Sequence, residues 1–102
     1  MKKWKIQFPP EAARLLSKLH YENKKDIKKS MNELRQNPYA GKDLQEELFG
    51  FKSLRIKNYR IIYYLKEEEC LIRIYYIGQR SDVYEQFRQM LTELQKTSPK
   101  VS

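Results

Sequence analysis

Three strand-like segments follow one another almost without a break in the second half of this chain: Phe51 to Lys57, Tyr59 to Lys66 and Cys70 to Ile77. Connections as short as Asn58 and the turn Glu67-Glu68-Glu69 leave no room for a crossover, so the segments predict an antiparallel meander. In the first, Leu54 and Ile56 share one face while Ser53, Arg55 and Lys57 share the other. In the second, Tyr59, Ile61, Tyr63 and Leu65 alternate with Arg60, Ile62 and Tyr64. This phase sets Arg60 across from Arg55. Like charges at opposed positions repel unless an anion sits between them, and a guanidinium is not left unpaired in a core. Arginines recurring beside aromatic residues therefore predict an anion-binding surface, with nucleic-acid phosphate as the obvious anion.

The rest of the chain supplies one strand and three helices. Trp4, Ile6 and Phe8 alternate with Lys3, Lys5 and Gln7, the period of a half-buried strand, and Pro9-Pro10 ends it. Ala12, Leu15, Leu16 and Leu19 fall at helical spacing over residues 11 to 21, and Ile27, Met31 and Leu34 do so over 24 to 36, which predicts a helical hairpin. Its opposite faces carry Lys18, Lys24, Lys25, Lys28 and Lys29, read as a solvated face. Asn37-Pro38 stops the second helix, and a loop runs to about Gly50. Ser81 or Asp82 caps a last helix with Glu85 in its first turn and Val83, Phe87, Met90, Leu91 and Leu94 as its buried stripe. The tail at about 97–102, with Ser98, Pro99 and Lys100, is expected to fray. The fold class is α+β, a small single domain over 1–102: N-terminal strand, helical hairpin, three-stranded antiparallel meander completing the sheet, C-terminal helix.

Composition narrows the function classes. A chain of 102 residues with 40% hydrophobic content suits one modest core. A net charge of +8 and a pI of about 9.6 favour a polyanion or an acidic protein as partner. The lone Cys70 excludes an internal disulfide framework, and neither a signal-peptide pattern nor a bilayer-length apolar run is present, so a reduced cytoplasmic protein with no membrane partner is expected. No glycine-rich phosphate loop, no His/Cys set with metal spacing and no nucleophile elbow occurs, so neither metal nor cofactor is implied.

Arg80 follows Gly78 at the end of the last strand, and Tyr84 lies four residues on, at the start of the final helix, so both can join Arg55 and Arg60 at one edge of the sheet. A purely structural account is available as well: Arg55 pairing with Glu46 or Glu47, Arg60 with Asp82, and Tyr84 as a half-buried helix residue. His20 lies on the first helix, away from the strands, and reads as a surface histidine.

The element order, together with Leu54-Arg55-Ile56-Lys57-Asn58-Tyr59-Arg60-Ile61-Ile62-Tyr63 and Gly78-Gln79-Arg80-Ser81-Asp82-Val83-Tyr84, resembles the RelE/ParE superfamily of bacterial and archaeal toxins over residues 1 to about 95. The resemblance implies the toxin of a type II toxin–antitoxin pair, a device of plasmid stabilisation. On the RelE branch it implies a metal-free endoribonuclease, an mRNA interferase acting in the ribosomal A site. The family's strand pattern is matched by Arg55, Tyr59 and Arg60, and its closing pattern by Arg80 and Tyr84. One departure is Ser53, where RelE-like toxins often carry a basic residue, with Lys52 beside it on the other parity.

The resemblance makes Arg55, Arg60, Arg80 and Tyr84 catalytic candidates and Lys52, Ser53, Lys57 and Tyr59 RNA-binding candidates. Arg60 and Arg80 suit phosphate and transition-state stabilisation, being permanently charged and able to grip two oxygens. Arg55 and Lys57 would hold the backbone or assist the proton. Tyr84 can stack on a base, orient the substrate or transfer a proton, and the identity of the general base stays open. The implied partners are messenger RNA, the ribosome and a cognate acidic antitoxin. The alternative branch is a ParE-like protein that inhibits DNA gyrase by association, without hydrolysis.

Overall fold

The computed structural model describes residues 3–97, and of 94–97 the backbone alone. From residue 98 on, the tail expected to fray lies outside the described residues, as does the side chain of Leu94. Within them the order is β1 (Lys5–Gln7), α1 (Pro10–Ser17), α2 (Tyr21–Gln36), β2 (Lys42–Asp43), β3 (Lys52–Ile56), β4 (Tyr59–Lys66), β5 (Leu71–Gln79) and α3 (Val83–Thr97). The strands form one sheet in the order β1-β5-β4-β3-β2, with β1 parallel to β5 and every other pair antiparallel. The expected meander, hairpin and last helix are all present.

Local chemistry accounts for the element ends. Pro10 stands in the first turn of α1, where its missing N–H costs nothing and its ring presets φ. His20 holds extended backbone ahead of α2 and is exposed, without a side-chain cap. Asn37 leaves the helical region before Pro38, as a residue preceding proline must. At the other end of the meander Cys70 takes a left-handed conformation, φ 50°, which closes the Glu67–Glu69 turn and delays β5 to Leu71.

Both faces of the sheet are covered. Ala12, Ile27, Met31 and Leu34 of the helical hairpin bury Ile56, Ile61, Tyr63, Ile72, Ile74 and Ile77. On the other face Val83 and Phe87 of α3, with Leu44 and Leu48 from the loop, bury Ile62. Adjacent Ile61 and Ile62 are thus both fully buried, one on each side, the mark of a strand with no solvent face.

Several features depart from the reading of the sequence, and one is that α1 ends at Ser17, so His20 lies between the two helices and not on the first. The segment taken as loop up to Gly50 contributes β2, which pairs with β3 through Lys42–Ser53 and Asp43–Lys52. It is anchored by Tyr63, whose buried hydroxyl donates to the Pro38 carbonyl at 2.9 Å and accepts from the Gly41 N–H at 2.8 Å. A β-bulge lies opposite Ile62/Tyr63: Ile62 pairs with Tyr76 and Tyr63 with Ile74, leaving Tyr75 without a partner. The extra residue puts Tyr76 on the α3 side along with Tyr75, where both pack around Phe87, and returns Ile77 to the hairpin side.

Candidate active site

The β3–β4 ladder sets Arg55 directly opposite Arg60, and on its other side Arg60 faces Gly78 of β5. Gly78 has no room for a side chain: a Cβ there would stand 2.9 Å from the Tyr76 ring and 3.2 Å from a Val83 methyl. Its bareness lets the first turn of α3 settle onto β5, which carries Tyr84 to the sheet. The Tyr84 hydroxyl donates to Ser53 Oγ at 3.2 Å, and the Arg60 guanidinium lies 5.6 Å from the centre of the Tyr84 ring. Ser53 is only 2% exposed, so the hydroxyl it offers serves Tyr84 and not solvent.

Charge in this cluster is unbalanced. Among the described residues, no carboxylate lies within ion-pair distance of Arg55, Arg60 or Arg80. The pairings that a purely structural account called for are absent: Glu47 instead holds Arg88 at 2.7 Å. Arg60 Nε is buried and has no hydrogen-bond partner. Two guanidinium groups on neighbouring strands with one orphaned N–H form a cradle for an anion, since a phosphate oxygen satisfies the N–H and relieves the repulsion together. Asp82 faces Tyr76, whose phenol is pushed above its ordinary value by burial first and by that carboxylate second.

The other candidates fall elsewhere. Lys57 does not continue the basic face of β3 as strand alternation predicts. It sits past the strand end with φ 53° in the hairpin turn, and its ammonium contacts Asp26 of α2 at 2.7 Å. That carboxylate raises the Lys57 pKa through the hydrogen bond and then through its charge. Lys52 is paired with Asp43 at 2.5 Å and lies over the Tyr39 ring. Tyr59 packs with the hairpin-side core, and its hydroxyl accepts from Asn23 Nδ2 at 3.3 Å. Arg80 is exposed. Its backbone N–H donates to the Asn58 carbonyl at 2.7 Å, and its side chain lines a groove on the Tyr59 side of the hairpin tip.

The structure thus gathers Ser53, Arg55, Arg60 and Tyr84 on the α3 side, and Tyr59 and Arg80 around the same tip. It ties Lys52 and Lys57 to carboxylates. Asn23, Asn58 and Gln79, which share the Arg80 groove, had no signal in the sequence, because they come from three separate segments. Among the described residues no group of three or more His, Cys, Asp and Glu is gathered as a metal-binding set, and no helix is long and apolar enough to cross a membrane.

The profile of the family described as "ParE-like toxin of type II bacterial toxin-antitoxin system" matches residues 6–88. Among solved structures, the RelBE2 toxin–antitoxin complex of Mycobacterium tuberculosis is similar with a TM-score of 0.72 and 27% identity, over 78% of this chain and 100% of that one. A double arginine-to-alanine mutant of the E. coli toxin RelE in the free state is similar in fold, with a TM-score of 0.70 and 17% identity over 88% of this chain and 99% of that one. So is the archaeal RelE–RelB complex of Pyrococcus horikoshii, with a TM-score of 0.65 and 15% identity over 78% of this chain and 97% of that one. No curated protein sequence matches.

Proposed function

The chain belongs to the ParE-like toxins of type II bacterial toxin–antitoxin systems, within the RelE/ParE superfamily; from its likeness to the RelBE2 structure at 27% identity and from its arginine cluster we propose that it is a metal-independent endoribonuclease that cuts messenger RNA in the ribosomal A site and so inhibits translation. The observation that carries the reading is the pair of carboxylate-free arginines, Arg55 and Arg60, with the Arg60 Nε left unsatisfied beneath Tyr84. Arg73 Nε is likewise buried without a partner, but Arg73 stands between Gln7 and Tyr64 in the sheet, so it is the pairing of Arg60 with a second arginine that marks an anion site.

In the proposed reaction the ribose 2′-oxygen attacks the adjacent phosphorus and the bond from phosphorus to the 5′-oxygen breaks. The 2′-hydroxyl gives up its proton to solvent water and the departing 5′-oxygen takes one from water, which leaves a 2′,3′-cyclic phosphate and a 5′-hydroxyl. Charge grows on the non-bridging phosphate oxygens between these events, and Arg60 and Arg55 meet it from the α3 side of the sheet. Arg80 meets the same backbone from the hairpin tip. Fixed charges already in place lower the barrier because they need no reorganisation as the charge develops. Tyr84, anchored by Ser53, holds Arg60 in position. Lys57 and Tyr59 follow the RNA on the opposite side of the tip and Lys52 at the far end of β3, the two lysines exchanging their carboxylates for phosphates.

The net charge of +8 suits a cognate acidic antitoxin that neutralises this surface in the cytoplasm. Two of the similar structures are complexes of a RelE-type toxin with its antitoxin. A second reading, a ParE-like inhibitor of DNA gyrase, is favoured by one observation: buried Ser53 stands where a basic residue is expected, so the cluster contains no histidine, lysine or carboxylate to take the first proton. A ribosome-programmed mRNA cleavage assay run beside a gyrase supercoiling assay separates the two. Cleavage with supercoiling untouched supports the ribonuclease; supercoiling lost with mRNA intact refutes it.

A further inference from the structure

On the side of the hairpin tip away from Tyr84, the start of α2, the β3–β4 turn and the end of β5 surround an open groove of about 480 Å3 lined by Asn23, Asn58, Tyr59, Gln79, Arg80 and Ser81. No carboxylate is among them. Three are carboxamides, and each presents a donor and an acceptor side by side, the pattern that the edge of an unpaired nucleobase complements. Asn23 is already oriented: Nδ2 spends one N–H on the Tyr59 hydroxyl at 3.3 Å, which leaves Oδ1 and the second N–H over. Among the described residues, neither the Asn58 nor the Gln79 side chain has a hydrogen-bond partner. Tyr59 adds an aromatic surface and Arg80 a cation. Single-stranded RNA is read by this combination of stacking, edge hydrogen bonds and a phosphate contact.

The groove also has the right neighbour. Tyr59 and Arg60 are consecutive in β4 and face opposite sides of the sheet, so RNA lying across the end of the hairpin meets Arg60 on one side and the groove on the other. We infer that this groove holds one unpaired base next to the linkage that is cut, and that Asn23, Asn58 and Gln79 set which base it accepts. The inference rests on the ribonuclease reading for its consequence, the sequence preference of cleavage, but base binding is measurable without cleavage.

The test measures binding of the full chain to oligoadenylate, oligoguanylate, oligocytidylate and oligouridylate of equal length, and cleavage of mRNAs differing at single positions in the ribosomal A site. The wild-type protein should rank the four oligonucleotides, and Asn23→Ala with Gln79→Ala should shrink the ratio between best and worst about tenfold or more, the effect of losing one well-placed bidentate contact. Gln79 is exposed, so Gln79→Glu keeps the shape of the groove and the fold while replacing an N–H donor by an acceptor. It should reorder the four even if the double variant does not fold. Equal binding of all four by the wild type, or equal weakening of all four by the variants, overturns the inference. Ranked binding that the variants abolish, in a protein that cuts no mRNA, upholds the groove and refutes the ribonuclease instead.

Discussion

Replacing Arg60 by methionine should make the protein more stable and inactive at once. The substitution keeps most of the apolar stem that packs beneath Tyr84 and deletes the guanidinium. A buried N–H without a partner costs about 1–3 kcal/mol, and Arg60 Nε is one. The like charge of Arg55 directly across the ladder adds about 0.2–1 kcal/mol of repulsion. Against these stands the cation–π contact with Tyr84, worth about 0.5–1 kcal/mol. The balance favours the variant by about 1–2 kcal/mol, which for a domain of this size raises Tm by about 4–10 °C. Cleavage should fall by about 10²–10³, the usual loss on removing one preorganised contact to a developing oxyanion. Thermal unfolding followed by circular dichroism gives the first quantity, and single-turnover cleavage on programmed ribosomes gives the second. A variant that melts several degrees below the wild type would refute the reasoning, because Arg60 would then serve the fold and not an anion.

Arg80→Ala should cost about 2.7–4 kcal/mol of transition-state stabilisation if Arg80 contacts the reacting phosphate, and single-turnover rates that match the wild type would remove it from the mechanism. RNA affinity should fall with salt by roughly 0.7 log units per log unit of salt for each phosphate neutralised, and Arg80→Ala should lower that slope by about one contact. Tyr63→Phe strands the Pro38 carbonyl and the Gly41 N–H, and should destabilise the fold by about 2–4 kcal/mol in denaturant titration. Burial raises the Tyr63 phenol above the ordinary 10.0. The folded state therefore holds this proton more tightly than the unfolded chain, and the stabilisation, complete below that value, is lost as pH rises through the folded pKa. The wild type should lose stability at alkaline pH more steeply than Tyr63→Phe, and parallel curves would count against the assignment.

The elements whose signal is local were legible in the sequence. Short turns forced the meander, apolar spacing gave the helical hairpin and α3, and strand alternation put Arg60 opposite Arg55, as the register has it. What escaped depends on contacts made at a distance. β2 is two residues long and exists because Tyr63 pins the loop before it, a hydrogen bond that no window of sequence contains. Lys57 left the basic face because the strand ended one residue earlier, at Ile56, and Asp26 was waiting on α2. The bulge at Tyr75 reversed the facing of a residue that alternation alone would have assigned to the other side. The same limit applied to the site: arginines on paired strands could be phased, whereas the carboxamides around Arg80 meet only in the folded chain.

The parallel pairing of β1 with β5 sets an order on synthesis. Lys5 and Leu71 are register partners, so the first strand to leave the ribosome waits for nearly the last before it can be paired. Gly78 and Tyr84 emerge later still, and until they do Arg60 has neither of those neighbours. The cluster around Arg60 is therefore unfinished until β5 and the start of α3 have been made, and an interval opens in which a binding partner can reach the nascent chain before that cluster is assembled.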